Sequence, residues 1–97
     1  SAREALEIAT RGGADILGRP DCGRIAPGKR ADIAIWDTRQ LASAGSWDPA
    51  ALLLAGPTVV RDLFVEGRGV VRDGQVTTVD MAALIARQNK LAKGLAL

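Results

Sequence analysis

Small and apolar residues recur at helical spacing in the first part of the chain. Within residues 2–17 they lie three or four positions apart on one face, which predicts an amphipathic helix. Ser1 has the residue type and the position to cap this helix. The pair Gly12 and Gly13 is expected to weaken or bend it, and Gly18 suits the left-handed residue at which it ends.

The pattern then changes to that of strands and turns. Residues 23–25 form a predicted short extended segment, and a Pro-Gly turn ending at Gly28 follows. Residues 33–36 are a continuous apolar run, which predicts a strand buried on both faces. A short helix is expected near residues 48–55, where an Asp-Pro pair supplies the N-cap and the first helical residue, and the Gly-Pro pair 56–57 ends it.

Three short strands are predicted over residues 58–65, 68–72 and 75–79. Two-residue turns ending in Gly67 and Gly74 separate them, and this X-Gly form is typical of tight hairpins. The three segments therefore predict an antiparallel meander.

A last amphipathic helix is predicted over residues 80–97, with Asp80 as its N-cap and the apolar residues mostly on one stripe. Strands and helices do not alternate along the chain, so a doubly wound parallel sheet is not expected. The order of elements predicts an α+β fold in which a small, mostly antiparallel sheet packs beside flanking helices.

The composition is that of a globular protein with little large apolar surface. Hydrophobic residues make up 47% of the 97 residues, but only 3% are aromatic and alanine is frequent. Alanine buries little area, and hydrophobic stabilisation scales with the area buried. We therefore expect a thin core that a partner surface completes.

Charge and cysteine content argue against several classes of partner. The net charge is only +2, and basic and acidic residues are interspersed, so no nucleic-acid partner is expected. No apolar run reaches the roughly 18 residues that cross a membrane, and no signal peptide is recognised, so no membrane partner is expected. The single cysteine, Cys22, cannot form an intrachain disulfide, which favours a reducing, cytoplasmic compartment.

Candidate catalytic chemistry is scarce in this sequence. With no His and one Cys, neither a zinc site of nitrogen and sulfur ligands nor a Ser-His-Asp triad can be built from it. Asp32 precedes an apolar run and is expected to accept backbone N–H bonds and fix a turn. We predict no catalytic and no metal-binding residue. The predicted structural turn and anchor residues are Gly28, Asp32, Gly67 and Gly74.

Three ordered motifs resemble the carboxyl-terminal part of the amidohydrolase superfamily. They are ATRGGADILG at residues 9–18, GRIAPGKRADI at residues 23–33 and FVEGRGVVRDG at residues 64–74. The resemblance implies a TIM barrel joined to a small β-sandwich, of which this chain supplies only a part.

The resemblance also implies a division of the chain and a set of partners. Residues 1–18 would be the last helix of a missing catalytic barrel, residues 19–79 a share of the sandwich, and residues 80–97 a C-terminal helix. The barrel and the N-terminal sandwich strands would come from elsewhere, and the sequence would be either a natural short chain or a truncated piece of a longer one. A second copy of the same protein, in a homo-oligomer, is a further possible partner.

Residues 12–14, 46–49 and 53–57 look most like those of aminohydrolases acting on purines and related rings, which include 8-oxoguanine and guanine deaminases and triazine hydrolases. The resemblance implies a parent enzyme that hydrolyses C–N bonds with zinc or iron. None of the family's His ligand motifs occurs in this sequence. The segment alone is therefore expected to hold no cofactor and to be inactive.

Two other functions remain open at this point. The chain could be an autonomous oligomerisation or interaction module, because sheet edges and the apolar stripe of the last helix could pair with another copy. It could also be a small hydrolase that uses carboxylates alone, which would require two convergent Asp or Glu residues in a pocket.

Overall fold

The N-terminal helical segment is continuous in the computed structural model, which describes residues 1–55 and 58–96. It begins with α1 (Ala2–Glu7), passes through a π-helical stretch at Ile8–Gly12 and ends with α2 (Gly13–Ile16). Ser1 and Glu4 form the capping box that supports its start.

The glycine pair at positions 12 and 13 does not break this segment. Gly12 and Gly13 both have helical backbone angles, with φ of −61° and −62°. The local change is a widened turn over Ile8–Gly12, because a π-helix accommodates one extra residue in the hydrogen-bonding pattern. As predicted, Gly18 follows the helix in the left-handed region, with φ of 68°.

Residues 23–25 are an irregular bend, so the prediction of an extended segment is wrong. Gly23 has φ of +87°. A Cβ placed on Gly23 would lie 2.8 Å from the Cβ of Ala14 and 3.0 Å from the carbonyl oxygen of Thr10. The chain turns sharply at this point because it passes directly over the helical segment, an approach that only glycine permits.

The sheet has four antiparallel strands in the order β1-β2-β3-β4. Their bounds are β1 Ile33–Asp37, β2 Val59–Val65, β3 Arg68–Arg72 and β4 Gln75–Val76. The two predicted hairpin turns are present, since Glu66, Gly67, Asp73 and Gly74 all have positive φ. The last strand is shorter than the predicted residues 75–79.

The prediction that residues 33–36 are buried on both faces is wrong. Burial alternates along β1, and Trp36 is 40% exposed. Alternation of this kind means that only one sheet face of β1 is covered in the described part of the chain. β1 also lies at the edge of the sheet and pairs with β2 alone. Its pairing with β2 shifts register between Ile35 and Trp36, where Arg61 is the extra residue of a β-bulge.

The short helix predicted near residues 48–55 is α3, Pro49–Ala55. Asp48 caps it by accepting a 3.1 Å hydrogen bond from the backbone N–H of Ala50. α3 packs against α1, and Arg3 forms a 3.2 Å ion pair with Asp48 at this contact. The predicted end of the helix at Gly56 and Pro57 lies outside the described residues.

The predicted thin core is confirmed. Ala14 and Ala50 are the only buried hydrophobic residues in the described part of the chain, and no side chain there is fully buried. Both lie on the helices, so the two faces of the sheet are incompletely covered. Several large apolar side chains are nearly fully exposed: Ile16, Ile25, Leu41, Trp47 and Leu95.

The final helix, α4, covers Met81–Leu95, and Asp80 caps it as predicted. The carboxylate of Asp80 accepts a 3.1 Å hydrogen bond from the backbone N–H of Ala83. No residue of α4 is buried. Among the described residues, no helix combines the length and the apolar character that a membrane span requires.

Candidate functional site

The predicted anchor residues Asp32 and Gly67 meet in the structure. The backbone N–H of Glu66 donates a 2.7 Å hydrogen bond to Oδ1 of Asp32, and the backbone N–H of Gly67 donates a 3.0 Å bond to the carbonyl oxygen of Ala31. These two bonds tie the β2–β3 hairpin turn to the residues that lead into β1. Asp32 therefore anchors a turn that is 34 positions away in sequence.

Gly28 and Gly74 lie at separate turns and do not join this junction. Gly28 has φ of 82°, and an added Cβ would meet open space, so glycine is favoured here only because of the backbone conformation. Gly74 closes the β3–β4 turn, and its N–H donates a 2.8 Å hydrogen bond to the carbonyl oxygen of Arg61 on β2. The three predicted glycines thus lie in three different turns, and Asp32 supports one of these turns from outside it.

Arg30 lies at the centre of the junction between Asp32 and the hairpin turn. Its guanidinium forms ion pairs with Glu66, with Asp32 at 3.4 Å and with Asp21 at 3.8 Å. Partial burial lowers the pKa of Arg30, but the carboxylates of Glu66 and Asp32 outweigh that effect and raise it above the ordinary arginine value. Arg30 therefore offsets part of the negative charge of these three carboxylates.

Sequence reasoning missed Arg30 because its partners are distant along the chain. Glu66 is 36 positions from Arg30, and no local spacing signals that contact. The backbone N–H of Arg30 also donates a 2.8 Å hydrogen bond to the carbonyl oxygen of Asp21. Arg30 thus joins three chain segments, which indicates a structural role.

Asp62 is a second anchor that sequence reasoning missed. Its side chain is only 13% exposed, and Oδ1 accepts a 3.1 Å hydrogen bond from the backbone N–H of Asp73. Oδ2 accepts a 2.8 Å bond from Nε of Arg61, and Arg72 lies 3.7 Å away. Asp62 therefore supports the β3–β4 turn from β2, as Asp32 supports the β2–β3 turn from the start of β1.

The acid side of the pH–stability profile should depend on Asp62. The hydrogen bond from Arg61, followed by that from the Asp73 N–H, lowers the pKa of the Asp62 carboxyl in the folded state. The unfolded chain therefore binds the proton more tightly, so this stabilisation is complete above the unfolded pKa of about 3.9 and disappears as the pH falls through the lower folded value. Asp21 and Asp37, whose pKa values are also lowered, act in the same direction.

In a protein that contains this chain as a folded segment, we expect the urea midpoint to change little between about pH 7 and pH 5 and to fall below about pH 4. Asp62→Asn should have a lower midpoint at pH 7 and a shallower decline in acid. A urea midpoint that rises as the solution is acidified would contradict this assignment. So would a midpoint that declines below pH 4 as steeply in Asp62→Asn as in the unsubstituted protein.

The described residues do not fit a catalytic metal centre. Residues 1–55 and 58–96 contain no group of three His, Cys, Asp or Glu side chains placed to hold a metal ion, and the full sequence has no His. Asp21, Asp32 and Glu66 are already paired with Arg30. Cys22 lies 3.6 Å from Oδ1 of Asp21 and has no imidazole to activate its thiol.

An open groove of about 820 Å³ lies between the helical segment, the loop that follows it and β1. Its apolar lining includes Leu6, Leu17, Ile25, Ile33 and Trp36, and its basic lining includes Arg11, Arg19, Arg24 and Arg30. Of the carboxylates, only Asp32 lines the groove. Two convergent acids, which a carboxylate hydrolase needs, are therefore not found in this groove.

Comparison with known proteins identifies the family to which the chain belongs. Residues 1–76 match the family model described as Amidohydrolase family. The chain belongs to the amidohydrolase family. This amidohydrolase chain is 47% identical over 92 residues to the 8-oxoguanine deaminase of Pseudomonas aeruginosa. The match covers 94% of this chain and 20% of that protein.

Solved amidohydrolase-like structures share the arrangement of sheet and helices. The zinc complex of atrazine chlorohydrolase from Arthrobacter aurescens matches at 35% identity with a TM-score of 0.78, over 94% of this chain and 20% of that one. A zinc-bound adenosine deaminase from Xanthomonas campestris matches at 28% identity with a TM-score of 0.82, over 96% and 22%.

This amidohydrolase chain thus spans about a fifth of the length of the proteins that it matches. The predicted family and the predicted likeness to 8-oxoguanine deaminases and triazine hydrolases are confirmed.

Proposed function

We propose that the chain is the carboxyl-terminal segment of a metal-dependent aminohydrolase, and that this segment supports the fold without contributing a catalytic group. The parent enzyme would replace a ring amino group of a purine-like or triazine-like substrate by oxygen from water and release ammonia. The observation that carries the proposal is the 47% identity to an 8-oxoguanine deaminase along 94% of the chain.

The proposed architecture is a TIM barrel joined to a β-sandwich. Residues 1–18 would close the barrel, residues 19–79 would form part of the sandwich, and residues 80–97 would be the C-terminal helix. The exposed apolar side chains and the two buried alanines support this division, because apolar surface of this extent is normally covered in a folded protein. The missing barrel and N-terminal sandwich strands are the proposed partners.

The metal of the parent enzyme, zinc or iron, would be held by residues outside this sequence. The chlorohydrolase and the adenosine deaminase were solved with zinc, which supports a metal in the parent. The absence of His from this sequence means that the segment has no imidazole to offer as a ligand.

We also propose a cytoplasmic location and no nucleic-acid or membrane partner. The single cysteine and the near balance of charges support this part of the proposal. We also propose that the parent enzyme forms a homo-oligomer.

The test begins with the DNA upstream of the codon for Ser1. We expect a longer reading frame whose product releases ammonia from 8-oxoguanine, guanine, adenosine or an aminotriazine and contains about one zinc or iron per chain. The 97-residue chain, purified alone as the control, should show no turnover and no bound metal. Turnover or stoichiometric metal in that control would overturn the inactive-segment role, and a longer product that deaminates none of these rings would overturn the parent activity.

The alternative, an autonomous oligomerisation module, makes a different prediction for the same control. Sedimentation of the 97-residue chain would then give one defined oligomer that unfolds cooperatively, and no longer frame would be needed. The proposed function instead predicts that the isolated chain associates without a fixed stoichiometry, because several unrelated apolar surfaces are exposed together.

A further inference from the structure

Trp47 is almost fully exposed, although the loop that carries it is anchored at several points. The loop consists of residues 38–48 and connects β1 to α3, and within it Trp47 is 91% exposed. At the start of the loop, the backbone N–H of Arg39 donates a 2.9 Å hydrogen bond to Oδ1 of Asp37. Ser43, in the middle of the loop, is buried. The indole of Trp47 is therefore held in solvent by a fixed backbone.

The last residue of this loop is attached to the start of the N-terminal helical segment. Asp48 directly follows Trp47, caps α3 and forms a 3.2 Å ion pair with Arg3 in the first turn of α1. The two helices α1 and α3 also pack against each other. Trp47 therefore lies near the beginning of the helical segment.

The other end of the helical segment is attached to the residues that precede β1. The backbone N–H of Arg30 donates a 2.8 Å hydrogen bond to the carbonyl oxygen of Asp21, three residues after Gly18. Ala2 and Ile16 are about 20 Å apart along the helix axis, at a rise of about 1.5 Å per residue. The five residues of β1 span about 16 Å, so they carry the chain back from the end of the helical segment towards its start.

The proposed function gives these two ends different meanings. Residues 1–18 are there the last helix of a TIM barrel. In such a barrel each strand runs to the carboxyl-terminal face, which holds the active site, and the helix that follows begins at this face and runs back. The first turn of α1 would thus lie at the rim of the active site, with Trp47 beside it, and Ile16 would lie at the opposite face.

The indole of Trp47 is suited to the substrates of the proposed enzyme. Purine-like and triazine-like rings are flat, and such rings stack on aromatic side chains. The sequence has only two other aromatic residues. The ring of Phe64 lies 5.5 Å from the guanidinium carbon of Arg72, and Trp36 lines the groove beside the helical segment. Trp47 is therefore the aromatic residue of this sequence whose position and exposure suit a flat ligand at the rim.

We propose that Trp47 is a substrate-binding residue of the parent enzyme, whose indole stacks on the flat ring of the substrate at the rim of the active site. This inference rests on the proposed function, because the barrel that places Trp47 at the rim is part of that proposal. Trp47 would hold the ring without taking part in proton transfer or C–N cleavage. The chemical step would remain with residues outside this sequence.

The test measures the kinetics of ammonia release for Trp47 variants of the longer reading frame's product. Trp47→Phe keeps a flat aromatic ring, whereas Trp47→Leu keeps an apolar side chain without one. We expect Trp47→Leu to raise KM by about tenfold and to change kcat by less than about twofold, because stacking stabilises the bound substrate and the transition state alike. The KM of Trp47→Phe should stay within about threefold of the unsubstituted value.

Ile16→Ala is the matched control for an exposed apolar residue of the same region. Ile16 is 88% exposed and lies at the far end of the helical segment. This substitution should leave both KM and kcat unchanged, because conservation of side chains at the far face of a barrel serves stability and not substrate binding.

Several outcomes would overturn the inference. Equal KM values for Trp47→Leu and Trp47→Phe would show that no stacking occurs, and an equal rise in KM for Ile16→Ala would show that the effect is not local. Conversion of an oligomer to a monomer by Trp47→Leu, seen by sedimentation, would assign the indole to a contact with a second copy. Failure of Trp47→Leu to fold would show that the indole is buried in the longer protein.

The same measurements separate this inference from the proposed function. An unsubstituted product that releases ammonia from none of the tested rings would overturn the proposed function, and the role of Trp47 with it. Normal turnover of the unsubstituted product, together with an unchanged KM in Trp47→Leu, would overturn the role of Trp47 alone.

Discussion

Gly23→Ala is expected to destabilise the chain by about 3 kcal/mol or more, from the left-handed backbone and from overpacking together. The backbone at Gly23 has φ of +87°, which an L-residue rarely adopts. The new methyl group would also lie 2.8 Å from the Cβ of Ala14, 3.0 Å from the carbonyl oxygen of Thr10 and 3.2 Å from the Cα of Arg11. Two of these three atoms belong to a helix backbone, so they cannot move aside without disturbing the helical segment.

Gly28→Ala is the matched control for this substitution. Gly28 has nearly the same φ, +82°, but nothing lies within 4 Å of an added Cβ. Its cost should therefore be the conformational part alone, about 1 kcal/mol. Urea unfolding of the product of the longer reading frame, followed by far-ultraviolet circular dichroism, would compare the two losses. Equal losses at the two positions would show that the bend at Gly23 does not pass over the helix.

Asp62→Ala is expected to lower Tm by roughly 5 °C or more, because it removes the acceptor for the Asp73 N–H and leaves the cationic side chains beside it without their carboxylate. Those contacts are the 2.8 Å bond from Arg61 and the 3.7 Å ion pair with Arg72. The side chain of Asp62 is largely buried, so water replaces these contacts only in part.

Two further variants separate the causes of the Asp62 effect. Asp62→Asn keeps an oxygen acceptor for the Asp73 N–H and removes the charge, so its loss of Tm should be smaller than that of Asp62→Ala. Asp15→Ala removes an exposed carboxylate from α2 and should change Tm by little. Scanning calorimetry of the product of the longer reading frame would measure all three, and a loss for Asp15→Ala as large as that for Asp62→Ala would argue against a specific anchor.

Features that depend on neighbouring residues were predictable from the sequence. The capping box at Ser1, the caps at Asp48 and Asp80 and the two X-Gly hairpin turns all follow from local hydrogen bonding and from the freedom of glycine at positive φ. The thin core was also predictable, because a chain rich in alanine and poor in aromatic residues has little area to bury.

Features that depend on distant residues were not predictable in this way. The apolar run at residues 33–36 predicted a strand covered on both faces, but only one face of β1 is covered in the described residues, which leaves Trp36 partly exposed. The contacts of Arg30 with Glu66 cross 36 positions, and the approach of Gly23 to Ala14 exists only because the chain folds back over the helix. Composition and periodicity carry no signal for such contacts.

The sequence by itself determined the helices and hairpins, the family resemblance and the lack of any His ligand, because each of these depends on residue type and local spacing. Only the tertiary structure decided that Asp32 and Asp62 each support a hairpin turn from the neighbouring strand region, that Gly23 bends over the helical segment, and that α4 presents an uncovered apolar stripe. The physical reason is that hydrogen-bond partners, close approaches and exposure are set by which segments meet in space, and the β1-β2-β3-β4 order that brings them together is a property of the whole fold.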